Sequence, residues 1–349
     1  MKLIVQVPCL NEEGNLATVL SSIPRRIPGI DTIELVVIDD GSTDQTSEIA
    51  QQFGAHVIRH TRTMGLARSF RDGVDYALFR GADIVVNTDG DNQYPQSSIP
   101  ELVRPIVEGT ADIVIGDRQT RTIEHFSGFK KRMQLVGSRV VSKAARTDLP
   151  DAASGFRAYS RASLFRLNIA TQFSYCMETI IQAGNRRLEI VSVPIGINPK
   201  TRESRLFKNI WHHMFKSAVA IVRSYLMFRP YILLATLGTI FAFLASIPFV
   251  RFGVLWLVDD GIGHIQSLIF GTSMLVGSLL CFALLIIADL QRTNRILLEE
   301  TLERTKQMQY ADPDRYPRLL RVADAWESLP AQRATTTRRS TGSRSDPAA

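Results

Sequence analysis

The 349-residue sequence predicts an α/β domain built on a mainly parallel sheet, followed by a two-helix transmembrane hairpin. Two observations carry this. Short β-branched runs alternate with helical stretches before residue 200, and two long uncharged runs follow after residue 230. Strands spaced by helices build a parallel sheet, whose ligands bind at the carboxyl ends of its strands.

Six strands are expected, at 3–7, 34–38, 56–60, 83–88, 112–116 and 188–195. The chain starts MKLIVQVP and reaches Asn11, Glu12 and Glu13 after an apolar run too short for a signal peptide, so the first domain is expected in the cytosol. The uncharged runs 231–250 and 265–288 are each long enough to cross the hydrocarbon layer as a helix. Between them the 251–264 segment holds only Arg251, whereas Lys216, Arg223 and Arg229 precede the first run and Arg292, Arg295, Arg304 and Lys306 follow the second. The positive-inside rule then puts both flanks on the cytoplasmic side. The expected localisation is an integral cytoplasmic (inner) membrane protein, with α/β domain and carboxyl terminus cytoplasmic.

The expected domain plan is 1–204 for the α/β domain, 205–229 for an amphipathic helix on the membrane surface, 230–290 for the hairpin, 291–329 for a cytoplasmic region and 330–349 for a disordered tail. Segment 205–228 mixes Leu206, Phe207, Trp211 and Phe215 with Arg205, Lys208, Lys216 and Arg223, a pattern that lies along an anionic membrane surface. The tail is small, polar and basic, and buries too little apolar area to fold.

Composition narrows the function classes. The chain is 45% hydrophobic and 21% charged, with a formal charge of +7. Seven basic residues against Glu203 between 196 and 230 give a local +6, so most of the excess sits at the membrane entry. Those basic regions lack aromatic residues arranged for base stacking, which argues against nucleic acid. Cys9, Cys176 and Cys281 lie far apart, without zinc-ligand spacing, as in a reducing compartment. A phosphate-binding G-x-x-x-x-G-K-[ST] loop does not occur.

The chemistry-bearing residues follow the strands. After the first come Pro8, Asn11 and Glu12, and after the second Asp39, Asp40, Gly41, Ser42 and Asp44, a set of acceptors suited to ribose hydroxyls and base N–H groups. The Asp-Gly-Ser-Thr-Asp run reads equally as a helix cap. The fourth strand leads into Thr88-Asp89-Gly90-Asp91-Asn92-Gln93. In extended chain the two carboxylates point to one side, as a site for Mg²⁺ or Mn²⁺ shared with substrate phosphate would require. An exposed acidic turn has the same spacing. Downstream cations Arg118, Arg157, Arg202, Arg205 and Lys208 suit phosphate, or a carboxylate partner.

Together, PCLNEEGNL, VVIDDGSTDQT, NTDGDNQYP, SGFRAYSR and RESRLFK resemble the family 2 glycosyltransferases of the GT-A fold, in particular polyprenyl-phosphate sugar synthases related to dolichol-phosphate mannose synthase, over about residues 1–290. The resemblance implies that Glu12 and Asp39 contact a donor nucleotide, with Pro8, Asn11, Asp40, Gly41, Ser42 and Asp89 around it. It implies that Asp89 and Asp91 hold the metal on the diphosphate and that Gln93 borders the sugar. Arg157 and Arg202 would neutralise phosphates, and Asp91, Gln93, Arg157 and Arg202 would form the catalytic set. Arg118, Lys130, Lys131, Arg132, Ser138, Arg205 and Lys208 would face the acceptor phosphate.

The sequence departs from the family at Gln134, where an arginine is usual, and at Leu10, where relatives often carry a base-stacking aromatic. It contains no Gln-x-x-Arg-Trp, which argues against a processive polysaccharide synthase. The expected partners are a nucleotide sugar, a polyprenyl phosphate and the bilayer, with homo-oligomerisation left open. Transfer to a hydroxyl of another lipid or glycan, and a noncatalytic nucleotide-sugar-binding module, are the alternatives.

Overall fold

The computed structural model describes residues 1–119, 138, 141–142, 145, 147, 149–169, 175–199, 230–258 and 265–311. The expected surface helix and tail, and the 259–264 part of the interhelical loop, lie outside them. Among the described residues seven strands form one sheet: β1 (Lys2–Cys9), β2 (Thr32–Asp39), β3 (His56–Arg59), β4 (Ile84–Asn87), β5 (Ile113–Asp117), β6 (Arg157–Ser160) and β7 (Ile190–Pro194), in the order β3-β2-β1-β4-β6-β5-β7. All pairings are parallel except those of β6, which runs antiparallel between β4 and β5. Six of the strands answer to the expected runs. β6 is the addition, because Arg157-Ala-Tyr-Ser carries neither a β-branched residue nor clean alternation.

Both faces of the sheet are covered, so β1 is buried from Leu3 onward and reads as a continuous apolar run rather than an alternating one. Helices α1 (Leu16–Ser22), α2 (Thr46–Gln52) and α4 (Ile99–Val107) supply the core on one side, through Leu16, Leu20, Ala50, Leu102 and Val103. Helix α3 (Leu66–Phe79) covers the other with α5 (Arg161–Arg166) and α6 (Tyr175–Asn185), where Phe70 stacks on Tyr175 at 4.0 Å between ring centroids.

Helices α7 (Pro230–Val258) and α8 (Ile265–Ala311) pair along their lengths. Both contain apolar segments long enough to cross a membrane, and only 17% and 6% of those segments is buried within the protein. Small residues bring the two backbones together. Ser278 Oγ donates to Gly238 O at 2.9 Å, and a Cβ on Gly238 would lie 3.3 Å from Cys281 Cβ.

α8 outlasts its apolar stretch by several turns, and its far end docks on the α/β domain. Arg186 reaches Glu299 at 2.7 Å, and Lys306 Nζ donates to Leu167 O at 2.9 Å and Asn168 Oδ1 at 2.8 Å. Tyr310, 9% exposed, joins the α3 side of the core and donates to Asp75 Oδ1 at 3.3 Å. This dock lies near the amino ends of the parallel strands, since Arg161 N bonds Asp83 O just before β4. The carboxyl edge on the opposite side carries the candidate site.

Candidate active site at the carboxyl edge

Parallel pairing of β1 with β2 and β4 brings three acidic loops to one edge. The β1 and β2 loops are stitched together. Asn11, held at φ 54°, donates its N–H to Ser42 Oγ at 2.9 Å and accepts from Thr43 N at 2.8 Å through its side chain. Glu12 N donates to Thr46 Oγ1 at 2.9 Å, and Asp44 accepts from Thr46 N at 3.1 Å, so Asp44 does serve the start of α2. Asp39 is buried and accepts from Ser42 N at 2.7 Å and from the Ser47 hydroxyl. Pro8 lies buried at the penultimate position of β1, opposite Ile38 of β2.

The β4 loop packs directly on this pair. A Cβ on Gly90 would fall 2.6 Å from Cys9 Sγ and 3.3 Å from Glu12 Cγ, so only glycine admits the approach. Gly155 plays the same part on the other side, since its Cβ would lie 3.0 Å from Asp89 Oδ2. Asp89 is thereby wedged between Glu12 and the 151–155 loop. Burial, then the like charge of Asp91, pushes its pKa up to about 7.

Two neighbouring carboxylates that repel each other in a partly dry place are the donor set a hard divalent cation relieves. Residues Asp89 and Asp91 therefore fit Mg²⁺ or Mn²⁺. Among the described residues there is no cluster of three or more His, Cys, Asp or Glu side chains able to hold a metal, so substrate oxygens would have to complete the shell. Beyond Asp91, Asn92 takes φ 60° and Gln93 N donates to Asp91 Oδ1 at 3.2 Å. Asn198, just after β7, donates to Asn92 O at 3.0 Å and, from its backbone, to Gln93 O at 3.0 Å.

Three of the expected phosphate ligands turn out to brace the 151–155 loop. Arg118 grips Asp151 with both Nε and Nη2, at 2.7 and 2.9 Å, and Ser138 Oγ accepts from Ala152 N at 3.2 Å. Arg157 is wholly buried, donating to Ser154 O at 2.7 Å, Ala152 O at 2.9 Å, Cys176 O at 2.8 Å and Thr179 Oγ1 at 2.9 Å. This corrects the expectation for Arg157, because a buried guanidinium must satisfy its fork of N–H groups locally and these acceptors take them. Tyr94 OH, accepting from Gly155 N at 2.9 Å, completes the brace. Lys130, Lys131, Arg132, Arg202, Arg205 and Lys208 lie outside the described residues.

Asp40 also differs from the expectation. It accepts from Met64 N at 2.7 Å and Gly65 N at 2.8 Å and faces His60 Nδ1 at 2.7 Å, so it organises the neighbouring loop. Burial would raise its pKa, but these hydrogen bonds hold it below the ordinary value. Below the edge, Asn87 links Gln6 (3.0 Å), Gly155 O (2.9 Å) and Tyr175 OH (2.7 Å) into a buried polar floor. Sequence reasoning missed His60, Asn87, Tyr94 and Asn198. Asn87, Tyr94 and Asn198 each follow or end a strand, which is the one signal that could have found them.

Residues 4–167 match the model of the glycosyl transferase family 2. The dolichyl-phosphate hexose transferase of Haloferax volcanii is 30% identical over 58% of this chain and 86% of that protein. The dolichol-phosphate mannosyltransferase of Pyrococcus furiosus is 29% identical over 61% of this chain, and the match spans 62% of that relative, less than two thirds of its length. Among solved structures, glucosyl-3-phosphoglycerate synthase from Mycobacterium tuberculosis, in complex with Mn²⁺, UDP-glucose and phosphoglyceric acid, superposes with a TM-score of 0.51 at 26% identity. That match covers 64% of this chain and 79% of the synthase.

Proposed function

The chain belongs to glycosyl transferase family 2 and is a glycosyltransferase, and from that premise we propose that it moves a sugar from a nucleotide sugar to a polyprenyl phosphate at the cytoplasmic membrane face. The observation that carries the acceptor is the continuity of one chain from an acidic carboxyl edge to two outward-apolar helices, which a water-soluble acceptor would not require. The names of the Haloferax and Pyrococcus relatives support the same choice.

In this reading the 39–42 loop, with Asn11 and Glu12, receives the nucleoside, and Gln93 borders the sugar. A divalent cation held by Asp89 and Asp91 would supply Lewis-acid stabilisation of the diphosphate as it leaves. An oxygen of the acceptor phosphate attacks C1 in line, the C1–O bond to the nucleoside diphosphate breaks, and its electron pair stays on the departing diphosphate. The configuration at C1 inverts. Because the acceptor phosphate is already anionic near neutral pH, a strong general base is not required. Arg157, Arg118 and Ser138 act at one remove by fixing the loop that backs Asp89, while Arg202, Arg205, Lys208, Lys131 and Arg132 are assigned to phosphate.

A transfer assay in membranes tests the reading, with labelled UDP- and GDP-sugars, undecaprenyl phosphate and Mg²⁺ or Mn²⁺. A labelled lipid that forms only with metal is expected. Donor consumption without dependence on polyprenyl phosphate would overturn the acceptor and favour a hydroxyl instead.

A further inference from the structure

The chain leaving β3 turns back over the 39–42 loop and is held there by a four-residue charge network. His60 lies with Nδ1 2.7 Å from Asp40 Oδ1 and Nε2 3.0 Å from Asp72 Oδ2 on α3. Asp72 also accepts from Arg68 Nε at 2.7 Å. Only the imidazolium donates from both nitrogens; a neutral ring would set a lone pair against one carboxylate. Hydrogen bonds to Asp40 and Asp72 accordingly push the His60 pKa up to about 9. Asp40 and Asp72 stay below their ordinary range, against the effect of burial, through the bonds from His60 and, respectively, from the Met64 and Gly65 amides and from Arg68.

The network sits beside the loop read as the nucleoside site. Asp40 takes the amides of Met64 and Gly65, so it closes the 60–65 strap at its far end while His60 closes it at the near end. The strap passes so close to Gly41 that a Cβ there would lie 2.9 Å from Arg62 C and 3.0 Å from Thr63 N. Gly41 also takes φ 82°, so its glycine is required twice over. Arg59, one residue before the strap, donates to Ser42 O at 2.9 Å and lies 3.6 Å from Asp39. At the rim, Leu10 is 39% and Met64 42% exposed, two large apolar side chains beside the acidic loops.

We propose that His60 is a positioning residue for the donor: it clamps the 60–65 strap against the 39–42 loop and so sets nucleotide affinity without touching the reacting atoms. The inference rests on reading that loop as the nucleoside site. It assigns Asp40 to the clamp rather than to the ligand. Losing one of two charge-assisted bonds and the charge itself lets the strap lift. Donor binding then carries the cost of reseating it, while the carboxylates at Asp89 and Asp91 stay in place.

The test is direct binding of UDP and of GDP with Mg²⁺ to the full chain in nanodiscs, for wild type and His60→Gln. Near neutral pH the variant should bind the preferred nucleotide about tenfold more weakly, with kcat at saturating donor within about twofold. The affinity ratio between the two proteins, in which the nucleotide's own ionisation cancels, should fall toward one as pH rises through about 9. Equal affinities near neutral pH, or a ratio that stays flat through that range, would overturn the inference. Should the glutamine variant fail to fold, Asp72→Asn, which keeps the Asp40 contact, should weaken binding about threefold, and an unchanged affinity there overturns it too. A wild-type chain that binds neither nucleotide contradicts the functional reading and this inference together; a wild type that binds nucleotide no more tightly than His60→Gln contradicts this inference alone.

Discussion

Glycines rather than acids decide where the Asp89 and Asp91 carboxylates sit. Gly90 has no room for a methyl group against Cys9 Sγ, and a methyl group on Gly155 would crowd Asp89. Gly155→Ala should push Asp89 aside by about a few tenths of an ångström and lower transfer about threefold, because catalytic geometry is sensitive to displacements well below those that unfold a protein. The thermal midpoint should move little, and an alanine variant with full turnover would count against the seating. Asp91→Asn should abolish metal-dependent transfer and leave the fold intact, which turnover and melting measured together will show. His60 contributes on a different axis. Its folded pKa near 9 lies above the ordinary 6.5, so the stability it lends is complete below 6.5 and lost as pH rises through about 9. Wild type should therefore lose melting temperature across that window by more than His60→Gln does.

At the scale of elements, the 151–155 loop is the piece that joins the sheet to the site. Arg157 on β6 holds it from below, Arg118 after β5 holds it through Asp151, and Tyr94 caps it. Arg157→Lys removes most of a fork that satisfies three carbonyls and a hydroxyl, so about 3 kcal/mol of stability should be lost in denaturant titration. A near-neutral change would contradict the bracing role. The same residue marks the limit of reading sequence. Strands β1, β2, β4 and β5 were legible because buried parallel strands are continuous runs of Val, Ile and Leu, and the acidic loops were legible because they follow such strands. β6 was not, since four residues with a charged head carry no periodicity. Nor could composition tell an arginine that faces a phosphate from one that faces carbonyls: the side chain is the same, and only the antiparallel insertion of β6 turns Arg157 inward. His60 was illegible for a related reason, because Asp40 and Asp72 meet it only once α3 folds back over β1 and β2.

The whole molecule is one strut and one edge. α8 runs 47 residues, about 70 Å at helical rise, from its apolar stretch to the α/β domain, and Glu299, Glu303, Lys306 and Tyr310 fasten it there. Tyr310→Ala should cost about 2 kcal/mol through lost burial and the lost bond to Asp75, read as a lower midpoint of domain unfolding. An unchanged midpoint would mean that the dock does not stabilise the domain. Since the strut grips the amino edge and the site occupies the carboxyl edge, the hairpin and the catalytic loops belong to one connected body rather than to a tethered pair. That geometry makes the chemistry of the acceptor the central claim, and the linkage formed on the transferred sugar tests it most directly. Purified chain in bilayers containing polyprenyl phosphate should yield a lipid whose sugar is joined through its anomeric carbon to phosphate and released by mild acid. A sugar joined as an acid-stable glycoside to a hydroxyl would contradict the account.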